Sequence, residues 1–570
     1  MSDARSRDSV QPVEDVKSGP STRIISGVFF VVAAVLMFAT ESDYGVASDV
    51  GNYFYSSMRQ LSWLQDFVQG LTVGNATAAL SAEKLNEHWR WMTIRLPHPP
   101  LSREISGISW LLFRDLLGPV TAYRVGVMLT FAFLTAGCAS FTGSAADSRL
   151  ASIGAGLCVL TMPVLFAHGH LAHTDLFLAA FWFGSAVCLF RWTEGSSGRN
   201  LFVSGLFLGA AVSTKFTGLL AIPVLGLWVL IRRPSRFIRA VLVIAAAALG
   251  VFFLSNPLLW VNPVLGLADY FGAGLARSED PLNLLQTLYF GTFYAYRGPW
   301  HYPFVWTMIV LPPTILAAII AGILNRRNSL LVGFCLLNAS VLYAALMLPS
   351  APMHDGVRLI LPAFPFFAVL GGLGTERIAD YVSRLPTVGD HASKNLVAGA
   401  VVVLLFVPSA AAVVRTHPYQ LSYVNMSVGG VDGAERRGLE ITNLKEILSE
   451  EVWNDLSEFI PEGSVVDPGF LLEETCFAQT LGRAPASWLV ETQWPSLLPD
   501  QPDLTLVCSG SQVRAPTAVD RDPATAEFLL QYNRKAMWRP IDWALDRQND
   551  PPAYEVSLEG APLLRVYRLK

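Results

Sequence analysis

Charge is what this chain has least of. Asp, Glu, Lys and Arg make up 15% of its 570 residues, against about 25% in a soluble domain. Hydrophobic residues reach 52% and the mean hydropathy is +0.41, so a single soluble globule is excluded and a polytopic membrane protein is expected. The formal net charge is only −4, which leaves no basic excess for a nucleic-acid partner. Cysteine is scarce too, with six in all. Cys138, Cys158, Cys188 and Cys335 lie in apolar runs and read as small core residues. Cys476 and Cys508 lie in a polar stretch and are free to pair if it faces an oxidising compartment. Their spacing matches no zinc site, and no Gly-rich nucleotide fingerprint occurs near the C-terminus.

What is present is a series of apolar runs. Residues 1–22 are polar and read as a disordered cytoplasmic N-terminus. A short apolar run, Ile24–Thr40, has no convincing cleavage site after it and reads as an uncleaved first span. Ten further runs fall near 120–141, 150–167, 174–191, 201–214, 217–231, 240–258, 303–324, 329–349, 358–374 and 395–413, giving about eleven transmembrane helices within 23–414. The pair over 201–231 is long enough for only two short helices. Arg191 and Arg199, then Arg232, Arg233, Arg236 and Arg239, then Arg326 and Arg327, then Arg377, Arg384 and Lys394 fall in alternate loops. The positive-inside rule makes those loops cytoplasmic. The N-terminus is then inside, and everything after Arg415 outside. Residues 415–570 regain charge and read as an extracytoplasmic soluble α/β domain. Short strand-like runs at Ser464–Val466, Leu504–Val507 and Leu563–Leu569 alternate there with helical stretches at Leu444–Phe459 and Ala524–Trp538.

The first outer loop, 41–119, is far longer than a connection requires, and loops of that length are usually functional. Trp63, Trp89 and Trp91 sit among apolar residues three and four apart, as in helices lying in a membrane interface. Asn75-Ala76-Thr77 matches a glycosylation sequon, a pattern frequent by chance.

Six phrases stand in order along the chain: Pro97-His98-Pro99-Pro100-Leu101, His170-Leu171-Ala172-His173-Thr174-Asp175, Gly209 to Gly218, Pro299-Trp300-His301-Tyr302-Pro303, Asp355 to Pro365, and His417-Pro418-Tyr419-Gln420-Leu421-Ser422-Tyr423. Together with Asp49 they resemble the protein O-mannosyltransferases of glycosyltransferase family 39 and their bacterial relatives, the lipid A aminoarabinose transferases. The resemblance implies a GT-C fold and a sugar donor linked to polyprenyl phosphate. It also implies transfer, with inversion, to a protein, lipid or glycan acceptor on the extracytoplasmic side of a cell (inner) membrane. Two departures stand out. The family usually has Asp-Glu after the first span, whereas Val50 follows Asp49 here, and Asn443-Leu444 stands where Tyr-Trp is common.

A glycosidase needs a second carboxylate to protonate its leaving alcohol. A polyprenyl phosphate leaves without that help, so one base and positive charge near the phosphate suffice. Asp49 is the expected base, with helix capping as its bland alternative and Asp43 as reserve. His98, in a Pro-rich turn, matches a basic or imidazole position beside the lipid phosphate. His173 and Asp175 are expected to orient the donor head group. Arg297 and Arg358 are expected to grip phosphate bidentately, and Lys215, costly inside an apolar hairpin, to reach a phosphate, water or carbonyl. His301 joins this donor set, and Arg124 and Tyr302 are held in reserve. Aromatic residues around Tyr294, Trp300, Tyr302 and Trp306 read first as an interface belt. No cofactor is required. His168, His170, His173 and Asp175 crowd one turn and leave a divalent metal open as an alternative, although their spacing does not form one helical face.

Two other function classes compete. One is a transporter or flippase of lipid-linked sugars, against which stand the long first loop, the outer domain and the lack of evident repeated halves. The other is an inactive binding scaffold.

Overall fold

A computed structural model describes residues 20–90, 98–195, 197–276, 286–295, 298–349, 351–389, 393–442, 444, 447–461, 463–467, 475, 489–490, 528–532 and 551–568. The chain is mostly helical. Seven of its helices are long and apolar enough to cross a membrane, or up to eight if one bent pair counts as a single span. Three shorter apolar helices, Arg149–Thr161, Gly198–Val212 and Phe216–Arg232, account for the remaining apolar runs. Each of the eleven runs is therefore helical, that over 150–167 as Arg149–Thr161 followed by Pro163–His168, and the pair over 201–231 is short as its length demands.

One span differs from expectation. The run over 303–324 is broken into Tyr302–Val310 and Pro313–Ile323, which meet at 115°. Pro312 and Pro313 explain the break, because neither can donate to the helical ladder and each ring crowds the preceding turn. Long apolar side chains such as Ile24, Val28, Leu242 and Leu404 face outward. In water they would form an aggregation-prone patch, and here they belong against lipid.

Between spans the helices approach through small residues. A Cβ added at Gly374 would collide with the carbonyl oxygen of Ala318, and one at Gly322 with that of Leu370. The helices Pro313–Ile323 and Phe364–Ser383 thus touch backbone to backbone, the close approach that small residues permit inside a membrane.

The described residues of the first long loop are largely helical as expected, with Val50–Thr72 and Leu101–Leu117 as the main elements. Its start is clamped from two sides. The Arg124 guanidinium, 3% exposed, pairs with Glu41 at 2.8 Å and donates to the carbonyls of Tyr44 and Gly45. The Ser48 amide donates to the Leu444 carbonyl at 2.7 Å. A hairpin, Gln286–Tyr289 against Thr292–Ala295, joins the far side. Its Leu288 amide donates to the Glu440 carboxylate at 3.0 Å and its carbonyl accepts from the Glu440 amide at 3.1 Å, and the Thr287 hydroxyl donates to the Met353 carbonyl at 2.9 Å.

Beyond the last span lies a five-stranded mixed sheet. Its strands follow the order Leu489–Val490, Val465–Asp467, Phe528–Tyr532, Ala561–Arg568, Tyr554–Leu558, and the helix Glu450–Phe459 precedes them in sequence. The strands near 464–466 and 563–569 match expectation. The helix expected over Ala524–Trp538 does not form where described, because Phe528–Tyr532 is a strand paired on both edges, antiparallel to 564–568 and parallel to 466–467. Cross-strand pairing and the burial of Leu530 override the local helical pattern. Leu504–Val507, Cys476 and Cys508 lie outside the described residues.

Two outcomes test this architecture. Gly322→Leu and Gly374→Leu should each lower the thermal unfolding midpoint in detergent sharply, since overpacking costs about 1–3 kcal/mol even where side chains can yield and here backbone blocks them. Gly27→Leu, at a position with nothing within 4 Å, should leave the midpoint unchanged. Reporter fusions in the 232–239 loop and at the C-terminus should report opposite sides of the membrane, and the same side at both would overturn the orientation.

Candidate active site

Three separated segments meet at one buried carboxylate. Asp175 opens the helix Thr174–Gly195 and is 1% exposed. Its Oδ1 accepts from Lys215 Nζ at 2.5 Å. Its Oδ2 accepts from Arg358 Nε and contacts His173 Nδ1, each at 2.9 Å. Lys215 follows the helix Gly198–Val212, where the chain turns extended before Phe216–Leu220. Arg358 starts the apolar segment Arg358–Ser383. A lone ion here would cost several kcal/mol, so these charges are stable only together.

Arg358 reaches two more carboxylates. Its Nη1 donates to Asp355 Oδ2 at 2.8 Å, and its Nη2 lies 3.4 Å from Asp49 Oδ2. Asp355 also holds His354 at 2.9 Å. Burial alone would raise the Asp355 pKa, but His354 and Arg358 outweigh it and hold the carboxyl well below the usual range. His173 Nε2 lies 3.0 Å from the Ser48 carbonyl and 3.6 Å from Asp49 Oδ2. Arg358 Nη2 also lies 3.2 Å from Nδ1 and 3.1 Å from Nε2 of His173, so the imidazole is packed between Arg358, Asp175 and Asp49.

Asp49 is the open end of this network, with 28% of its side chain exposed. It precedes the helix Val50–Thr72 in a left-handed conformation, φ 65°, and its side chain makes no capping hydrogen bond. The capping alternative is therefore not what fixes it. Left-handed backbone at a non-glycine residue costs about 1 kcal/mol or more and persists where surrounding structure enforces it. Here the Ser48 amide bond, the Arg124 clamp and the ion network do so.

The other expected residues stand apart from the network. His98 offers its carbonyl to Arg103 Nη2 at 2.9 Å. His301 meets the Tyr289 hydroxyl at 3.0 Å. Tyr302 is buried, and its hydroxyl accepts from the Gly356 amide at 3.0 Å, bracing the 355–358 turn from behind. Arg124 is committed to the first loop, as described above. Asp43 pairs with His417 at 2.7 Å, and His417 contacts Gln420, which bonds Tyr44. Arg297 lies outside the described residues. Asp355 and His354 carried no sequence expectation of a role, although Asp355 opens one of the six phrases.

The metal alternative is corrected by the turn's geometry. His170 points to Thr40 Oγ1 at 2.9 Å and stacks on Tyr44 with ring centres 3.9 Å apart. Burial, with help from Arg124, pushes its pKa down to about 3. His168 ends the short helix Pro163–His168, and His173 turns to Asp175. Among the described residues no three His, Cys, Asp or Glu are placed to hold a metal ion, because the 168–175 turn splays its imidazoles.

Residues 97–260 match the family model described as dolichyl-phosphate-mannose-protein mannosyltransferase. No curated protein matches the chain. Similar solved structures include ArnT from Cupriavidus metallidurans bound to undecaprenyl phosphate, 13% identical over 96% of this chain and 98% of that one, with a TM-score of 0.46. The apo form of the same protein is 13% identical over 95% and 98%, with a TM-score of 0.47. The stretch 97–260 that matches the dolichyl-phosphate-mannose-protein mannosyltransferase model holds the His98, His173–Asp175 and Lys215 phrases.

Proposed function

We propose that the protein is an integral membrane glycosyltransferase that moves a sugar from a polyprenyl-phosphate donor to an acceptor hydroxyl on the extracytoplasmic side, with inversion. The observation that carries this reading is the placement of Asp49. Its side chain is 28% exposed, against 21% for Asp355 and 1% for Asp175 in the same ion cluster, and Lys215 and Asp175 of that cluster lie within the stretch matching the mannosyltransferase family.

The chemistry follows from the charges. The acceptor oxygen attacks the anomeric carbon from the face opposite the phosphate, which inverts that centre. Its proton passes to Asp49, and the electron pair of the breaking carbon–oxygen bond leaves on the phosphate oxygen. Val50 in place of a second acid leaves the proton transfer to Asp49 alone. Arg358 and His173 lie 3.4 and 3.6 Å from Oδ2 of the Asp49 carboxylate. Asp175, buried against Lys215, Arg358 and His173, is a positioning residue.

Two substitutions separate these roles. General-base assistance is worth roughly 10²–10⁴ in rate, so Asp49→Asn should reduce transfer of labelled sugar from polyprenyl phosphate by about that factor with little change in unfolding midpoint. Asp43→Asn, on the exposed His417 pair, serves as control, and normal turnover by Asp49→Asn would end its assignment as base. Asp175→Asn should instead destabilise the protein, because removing one partner of a buried ion pair costs about 3–5 kcal/mol. Its unfolding midpoint in detergent should fall well below that of Asp49→Asn.

A further inference from the structure

The two main helices of the first loop pack across a polar seam. On Val50–Thr72, Tyr53, Ser56, Ser57 and Gln60 share one face at helical spacing, and all four are buried. On Leu101–Leu117, Ser102, Arg103 and Ser106 are buried as well. The helices meet closely here: the Ser57 hydroxyl donates to the Arg103 carbonyl at 2.8 Å, and a Cβ at Gly107 would lie 3.1 Å from that of Ser57.

Ser57 is satisfied by this bond and by the Tyr123 hydroxyl at 2.9 Å. Its neighbours are not. Among the described residues the Tyr53 hydroxyl, Ser56 Oγ, Gln60 Oε1, Ser102 Oγ, Ser106 Oγ, and both Nε and Nη1 of Arg103 have no hydrogen-bond partner. An unpaired buried polar atom costs about 1–3 kcal/mol, and more when charged. That many in one seam point to a missing polar occupant.

Arg103 determines its charge. The side chain is 2% exposed and makes no ion pair among the described residues. Its one bond goes to the neutral His98 carbonyl. The adjacent Glu104 forms no ion pair with it among the described residues, and burial raises the Glu104 pKa to about 8. Burial likewise lowers the Arg103 pKa, as expected of a cation without a counter-ion. A guanidinium with two free donors fits a phosphate oxygen pair, and the surrounding hydroxyls and amide fit further oxygens. The contrast with Arg358 and Lys215 is direct, since both of those spend their charge on Asp49, Asp175 and Asp355.

We propose that Arg103, with the hydroxyl- and amide-lined seam around it, seats the phosphate of the lipid-linked donor. This rests on the transferase reading and deepens it. A phosphodiester supplies one negative charge to this guanidinium. The seam begins one turn from Asp49: Tyr53 follows it on the same helix and stands edge-on to His173, ring centres 5.2 Å apart. A donor held there presents its anomeric carbon toward the base.

The test is binding rather than turnover. Polyprenyl phosphate and the corresponding polyprenol are titrated into the purified full chain in detergent, with native mass spectrometry or quenching of tryptophan fluorescence as readout. The wild type should prefer the phosphate at least tenfold. Arg103→Gln should abolish that preference, Arg103→Lys should keep part of it, and Asp49→Asn should keep all of it. Should Arg103→Gln fail to fold, Gln60→Leu, close in volume, should still weaken phosphate binding several-fold. A full phosphate preference in Arg103→Gln, or none in the wild type, would overturn the seat. Intact, Arg103-dependent preference with no transfer from any sugar donor would uphold the seat and refute the transferase reading instead.

Discussion

The burial of Asp175 is the constraint around which the site is organised. A carboxylate 1% exposed in a lipid-embedded protein is tolerable only with cations fixed against both oxygens. Lys215 and Arg358 provide them, from segments 40 and 183 residues away in sequence. Pairing Arg358 with Asp175 fixes its guanidinium, whose remaining nitrogens then reach Asp355 and Asp49. A single buried charge thereby dictates where the 355–358 turn and the Asp49 region must lie.

The same accounting separates two kinds of cation. Arg358, Lys215 and Arg124 are fully engaged with carboxylates or carbonyls, and their role is to hold backbone and carboxylates in place. Arg103 is as buried as Arg124 but lacks a counter-ion among the described residues. Basic residues at the ends of spans therefore cannot be ranked as phosphate ligands by position alone. What matters is which of them still has donors to give.

The region around Asp49 also explains how a polar loop of this length stays ordered at a membrane surface. It is tied to the transmembrane body by Arg124, to the distal segment by the Leu444 carbonyl, and to His173 through the Ser48 carbonyl. Asp43, His417, Gln420 and Tyr44 extend this tie across the mouth of the bundle. The first loop is in this sense part of the core rather than an appendage.

The eleven apolar runs and the helical first loop were legible in the residues themselves, and Asp49, His173, Asp175, Lys215 and Arg358 stood out as candidates, but Arg358 and Lys215 were expected on a phosphate with His98 rather than on the carboxylates they meet. Apolar length and charge placement act locally, and the solvent preference of each segment is written in its own composition. The break at Pro312-Pro313 was equally local, yet a window of hydropathy passes over it. Other features depended on partners far along the chain. Phe528–Tyr532 is a strand because 466–467 and 564–568 pair with it, although its own pattern favours helix. Arg103 stands beside the Pro-rich His98 phrase with nothing local to mark it. Its importance comes from what does not pair with it, and pairing is a property of the packed fold. The sequence by itself determined which segments enter the membrane and which ionisable groups are too costly there to be idle. Only the tertiary structure decided which charges cancel one another and which remain unspent, because Coulombic and hydrogen-bond energies depend on ångström-scale separations between residues that the sequence places hundreds of positions apart.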